Sequence, residues 1–224
     1  MKKLLVATVG VLLFTSTAQA ATFVSSRDAL EANDLVDWSV LGSTFTPITN
    51  PFVTTSSSGL DVNASIPSGS FLRIDQTPTF PGAFNVGEAL LFTGLDNPGP
   101  LTVTFDTPVF GAGTQIQSDP ANIPNYTATI EAFDSFDNSL GSFDITSISK
   151  REAGSGVSFV GVSDSNGEIK KVVLNTEEEG DSVPFALNEL SIKTSAAVPE
   201  ASSMLGLLLL GTAGAVLKLN KQKT

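Results

Sequence analysis

Hard oxygen atoms gather at two short stretches of this chain. "FDSFDN" places Asp134, Asp137 and Asn138 within one turn, and "SDSNGE" places Asp164, Asn166 and Glu168 within another. Oxygens of this kind are what calcium takes, although neither stretch has the spacing of an EF-hand loop. Asp and Asn also favour turns on their own account, because their side chains bond the nearby backbone. Calcium is accordingly the one metal the sequence leaves open, with Asp134, Asp137, Asp164 and Asn166 as candidate ligands. No motif implies any other cofactor.

Other chemistry is mostly excluded. The chain has no histidine, which removes the commonest general base, the serine triads that depend on it and most zinc sites. It has no cysteine either, so no disulfide framework can form. Ser147 and Lys150 in "SISK" meet the Ser-x-x-Lys spacing of penicillin-binding enzymes, but that motif works at a helix start with two partner motifs. Here it lies in a β-rich run. "EEEGD" reads as a solvated loop. A carboxylate pair for glycoside hydrolysis can be drawn from the many acids, yet no spacing selects one. Trp38 and Tyr126 are the only aromatics of the central region besides phenylalanines. Trp38 is expected to close the core beside the first helix, and most phenylalanines to point inward. No catalytic residue is assigned.

The elements that must position these residues are mostly strands. One helical signal, "SSRDALEANDLVDW", has Ser25 or Ser26 to cap it and predicts two or three turns at most. After Trp38 come short β-rich runs divided by Gly, Pro, Asn and Ser, the texture of an antiparallel sandwich or barrel. In "LTVTFD", Leu101, Val103 and Phe105 share one face; in "YTATIEAF", Tyr126, Ala128, Ile130 and Ala132 do. "FDSFDNSLGSF" predicts a hairpin turning at Asp137-Asn138 or Asn138-Ser139. Asn166-Gly167 predicts a second, between Val157–Val162 and Glu168–Leu174. The expected fold is all-β: one antiparallel β-sandwich, jelly-roll-like, of about eight to ten strands over residues 35–195.

Both ends differ from this centre. Lys2 and Lys3 precede an apolar run from Leu4 to Phe14 and then Ala18-Gln19-Ala20, the order of a secretory signal peptide with cleavage after Ala20. Residues 201–217 carry no charge, and at ~1.5 Å per residue they span about 25 Å, a short membrane crossing. Lys218, Lys221 and Lys223 come next, as in a segment whose basic tail stays inside. The chain therefore divides into 1–20, a signal helix; 21–197, an exported domain; and 198–224, a transmembrane helix with its flanks. The central region holds 7 basic and 22 acidic side chains, a net charge of −15. Such a surface repels nucleic acid and keeps a domain soluble.

Val198-Pro199-Glu200, directly before the apolar run and its basic tail, resembles the PEP-CTERM sorting signal of bacterial exported proteins, in its cyanobacterial form. The family pattern is Val-Pro-Glu-Pro, a small polar pair, an apolar helix and basic residues; "VPEASSMLGLLLLGTAGAVLKLNKQK" matches it, with Ala201 where the second proline is usual. The resemblance implies a temporary anchor cut by an exosortase-type membrane protease. It also implies delivery to the cell surface or the extracellular polysaccharide matrix. The centre resembles the jelly-roll-type domains of such proteins, with Asn188-Glu189 where they end in an acidic pair. The function expected is a non-enzymatic surface or matrix protein that binds glycan or another matrix component. The alternative is a secreted carboxylate-dependent polysaccharide hydrolase.

Overall fold

Sixteen strands form in a computed structural model that describes residues 21–94, 97–118 and 125–195. The expected cleavage site (Ala18, Ala20) and the sorting motif (Val198, Pro199, Glu200) lie outside the described residues. In chain order the strands are β1 (Thr22–Val24), β2 (Asp34–Val36), β3 (Thr46–Ile48), β4 (Phe52–Thr55), β5 (Asp61–Ser65) and β6 (Phe71–Asp75). Next come β7 (Ala89–Phe92), β8 (Leu101–Val109), β9 (Gly111–Ser118), β10 (Asn125–Phe133) and β11 (Ser139–Ile148). The last are β12 (Phe159–Ser163), β13 (Ile169–Glu178), β14 (Asp181–Ser182), β15 (Phe185–Leu187) and β16 (Leu190–Lys193). One strand beyond the eight to ten expected comes from a break within a single run. "FALNELSI" breaks at Asn188 into β15 and β16, which take different halves of β9 as partner.

All pairings are antiparallel and make two sheets. Sheet I runs β1-β12-β9-β15-β7-β6-β3, with β16 joining β9 to β2; sheet II runs β11-β10-β13-β8-β5-β4, with β14 on β13. The alternation read in the sequence sets the inner faces. Leu101, Val103 and Phe105 on β8 and Tyr126, Ala128, Ile130 and Ala132 on β10 are buried against Ala112, Ile116, Val160, Val162, Phe185 and Leu187 of sheet I. Trp38 does close the core: it is fully buried, and its Nε1 donates to the Asn188 carbonyl at 2.6 Å. Its ring meets Phe52 edge-on, and Phe52 meets Phe71 edge-on.

The helical expectation is corrected to one turn, α1 (Arg27–Leu30). Ser26 caps it by accepting from Ala29 N at 3.2 Å, and Glu31 ends it at φ 53. It cannot continue, because Asp34–Val36 pairs with β16 and Trp38 must reach the core. The second hairpin is corrected as well. β12 lies in sheet I and β13 in sheet II, so the 164–168 turn crosses between sheets rather than joining neighbours. Asp164 accepts from Asn166 N and Glu168 N inside that turn, and Gly167 at φ 71 leaves room for the Phe110 ring.

Sheet I is apolar on its outer face too. Val24, Leu30 and Phe159 form one outer cluster; Ile74, Phe84, Leu90 and Ala186 form another, with Leu72, Phe80, Phe92 and Val157 against it. A methyl group added at Gly113 or Gly161 would lie 2.6 or 2.7 Å from the Phe159 ring, so bare backbone is what lets Phe159 lie down there.

One buried carboxylate clasps the two sheets. Asp34 on β2 accepts from Ser56 Oγ (2.5 Å), Ser57 Oγ (2.7 Å), Ser58 N (2.9 Å) and Ser58 Oγ, all in the β4–β5 turn of sheet II. Burial alone pushes this carboxyl up, but the Ser56, Ser58 and Ser57 hydroxyls and the Ser58 amide outweigh it and hold it at about 2. A depressed carboxylate stabilises the fold above its unfolded value near 4 and loses that contribution as pH falls through 2. Between pH 6 and pH 2 the loss amounts to about 2 kcal/mol. Asp34→Asn is expected to be less stable by about that amount at neutral pH and to lack this part of the acid dependence. Urea unfolding of both chains at the two pH values checks it, and parallel losses would count against the clasp.

Candidate functional site

The outer cluster on β6, β7 and β15 is only partly covered, and the gap is a cleft of about 620 Å³. Phe45, Phe80, Phe84 and Phe92 supply its aromatic surface, with Pro47, Pro81, Leu72 and Ile74 between them. Thr93, Asn97, Gln117 and Ser118 add polar groups. Among the described residues that line it, none is charged.

Phe45 stands at the rim with 65% of its surface exposed and its backbone at φ 63. A bulky side chain in the left-handed region is strained by about 1–2 kcal/mol, and such strain clusters at ligand sites. The neighbouring pairing enforces it: Phe45 N donates to Arg73 O at 2.7 Å just before Thr46 pairs with Arg73.

The opposite wall is the loop joining β6 to β7, folded back over the sheet. Gln76 straps it, Nε2 donating to the carbonyls of Thr77 (2.9 Å) and Phe80 (3.1 Å). Gln117 on the outer face of β9 accepts from Ala83 N (3.1 Å) and donates to Lys150 O (2.9 Å), tying the loop to the floor. Ser118 Oγ is taken up by Ser149 Oγ at 2.6 Å and Glu178 Oε1 at 2.9 Å. Asn97 differs from these. It is 2% exposed, its Oδ1 accepts from Gly99 N at 3.3 Å, and its Nδ2 has no acceptor among the described residues.

The candidate calcium ligands stand elsewhere. Asp134 and Asp137 sit in the β10–β11 turn, a true hairpin with Asp137 at φ 61. Asp134 accepts from Asn138 Nδ2, Phe136 N and Asn138 N, and the Asn138 side chain leads these donors in holding its carboxyl below the ordinary range. Asp137 accepts from Lys171 Nζ at 2.7 Å. Asp164 and Asn166 belong to the sheet-crossing turn, where backbone N–H groups occupy the Asp164 oxygens. Among the described residues no three acidic side chains are grouped to hold a metal. Turn hydrogen bonds and the Lys171 ion pair occupy the Asp134, Asp137 and Asp164 oxygens. Ser147 and Lys150 do not meet: Ser147 Oγ lies 2.7 Å from Ser158 Oγ, while Lys150 Nζ donates to Ser155 O. Asn188 is buried, accepting from Arg27 and donating to Gln115 Oε1 at 2.6 Å, beside an Arg27–Glu189 ion pair.

Phe45, Phe80, Phe92 and Asn97 belong to no motif and were not anticipated as site residues. The available signal was phenylalanine beside proline outside any alternating run, in "FTP" and "TFPG".

No protein-family model and no curated protein sequence matches the chain. Among solved structures, a DUF4465 family protein from Bacteroides caccae is similar at 15% identity and a TM-score of 0.44, over 72% of this chain and all of that one. TmCBM61 in complex with β-1,4-galactotriose overlaps at 8% identity and a TM-score of 0.28, over 60% of this chain and 88% of that one. CsCBM6-3 from Clostridium stercorarium, in complex with cellobiose, overlaps at 11% identity and a TM-score of 0.21, over 78% and 94%.

The strap is open to a direct check. Gln76→Ala removes two hydrogen bonds from a buried amide and leaves the Thr77 and Phe80 carbonyls short of donors, at a cost of about 1–3 kcal/mol. The variant is expected to melt lower and to be nicked faster between Thr77 and Gly82 by a nonspecific protease. Unchanged nicking would mean that the loop is held by Phe84 and Gln117 alone.

Proposed function

We propose that this is an exported, non-enzymatic protein whose jelly-roll-like sandwich binds glycan at the cell surface or in the extracellular matrix. The observation that carries the reading is the cleft: an exposed, strained Phe45 beside Phe80 and Phe92, with Asn97, whose Nδ2 has no acceptor among the described residues, in its lining. A sugar ring has an apolar C–H face and a polar edge. The first fits aromatic surface and the second supplies acceptors, the mix expected of a small-molecule site. Hydrolysis would need a carboxylic acid and a second carboxylate flanking the bond. No acidic residue is among the described residues lining the cleft, and Glu178, which accepts from Ser118, is not among them either.

Delivery is assigned to the two termini. The leader ending at Ala20 exports the chain, and the apolar segment holds it until an exosortase-type protease cuts near Val198-Pro199-Glu200. Pro199 favours an extended, accessible chain before it, and Gly206, Gly211 and Gly214 lower the helical stability of the segment behind.

Two measurements test the two halves. A polysaccharide panel with a turnover assay is expected to show binding without product. Phe45→Ala should weaken that binding about tenfold while leaving thermal stability unchanged, because the ring is exposed. Hydrolysis abolished by changing a single acidic residue would replace this reading with the hydrolase. Intact mass of the protein from its native cells should give a form that starts at Ala21 and ends near Glu200. A membrane fraction holding only chain that ends at Thr224, in cells making the protease, would make the segment a plain anchor.

A further inference from the structure

We infer that the cleft selects uncharged sugars against chains bearing uronate or sulfate, and that Asn97 makes the hydrogen bond that orients them. The inference rests on the proposed glycan binding and adds the class of glycan.

The Asn97 amide can be oriented from its surroundings. Its Oδ1 accepts from Gly99 N, and turning the amide over would set its NH2 group against that N–H. Nδ2 is therefore a donor, and it is a buried one without an acceptor. A buried donor is costly until an acceptor arrives, and a hydroxyl or ring oxygen of a sugar provides one. The neighbouring polar groups offer less: Gln117 uses both its oxygen and its nitrogen on the loops, and the Ser118 hydroxyl is committed to Ser149 and Glu178. Beside Asn97 Nδ2 stand the Thr93 hydroxyl, which accepts from Phe185 N, and the exposed Ser70 hydroxyl, so the cleft offers neutral donors, apolar faces and, among the described residues, no cation.

That inventory separates sugars by charge. A neutral ring lays its C–H face on Phe45 and satisfies Nδ2 with one oxygen. A carboxylate or sulfate entering the same space gives up its water for a few neutral donors and no cation, which compensates little of the loss. The net charge of −15 on the central region also repels a polyanion before contact. The first effect is local and insensitive to salt; the second is screened.

The test compares, on the full-length chain, a neutral glycan that binds in the panel with the same glycan after its primary hydroxyls are oxidised to carboxylates. Oxidation is expected to weaken binding at least about tenfold at ~0.15 M salt, and higher salt to restore only part of the loss. Ser70→Lys, at the exposed rim, should narrow the gap by supplying the missing cation. Asn97→Ala should weaken the neutral glycan about tenfold. Ser70→Lys keeps the question of charge answerable should Asn97→Ala fail to fold. Equal or tighter binding of the oxidised chain overturns the selectivity and leaves the glycan reading standing. Undiminished binding by a folded Asn97→Ala overturns the role of that residue. Failure of every glycan on the panel to bind overturns the glycan reading, and this inference with it.

Discussion

Sheet I carries apolar side chains on both faces, and most of the architecture answers that constraint. A sheet with one wet face needs a single partner, as sheet II shows: β10 alternates buried with half-buried residues, and its edge neighbour β11 alternates half-buried with exposed ones. On sheet I, Phe71, Leu91, Phe185 and Leu187 face sheet II, while Leu72, Ile74, Leu90, Phe92 and Ala186 face away from it. The outward set needs cover from elsewhere in the chain. At one end α1 and Phe159 provide it, over glycines that let the ring approach bare backbone. At the other end the β6–β7 loop folds back with Phe80 and Phe84, and its cover is incomplete. The cleft is the part of the outer face that the loop does not reach.

Two devices keep the layers in register while this happens. Two of the chain's crossings between sheets, at Phe110 and at the 164–168 turn, hold each other: Asp164 N donates to Phe110 O, and the Phe110 ring sits where a side chain at Gly167 would stand. The Asp34 clasp binds β2 of sheet I to the β4–β5 turn of sheet II through three consecutive serines. Its carboxylate is buried yet stays ionised, because donors converge on both of its oxygens. Polar groups of this kind specify one arrangement of the layers rather than merely adding cohesion.

The cleft departs from that completeness. Away from it Asn188 and Trp38 find partners, and even the exposed turns bond their own carboxylates. Around the cleft the backbone of Phe45 is held in a costly conformation to present its ring to solvent, and Asn97 is buried with a donor unused. Two local rules broken side by side on one apolar surface make this cleft the candidate site.

The sequence by itself determined the β class, the inward faces of β8 and β10, a helix cap at Ser25 or Ser26, a hairpin turn within 137–139 and the burial of Trp38. Each comes from local pattern: period-two alternation, a capping hydroxyl, a turn residue that tolerates positive φ. The absence of His and Cys and the acidic balance were likewise legible, as composition. Pairing over long separations was not. That Asn166-Gly167 crosses between sheets instead of closing a hairpin depends on β12 finding β9 and β13 finding β10, partners far away in the chain. The same holds for Ser56–Ser58, which read as a polar turn until Asp34 is brought among them. The cleft belongs wholly to this second kind. Phe45, Phe80, Phe92 and Asn97 come from separate loops and strand ends, and only the closing of sheet I, which leaves one outer patch bare, makes them one surface.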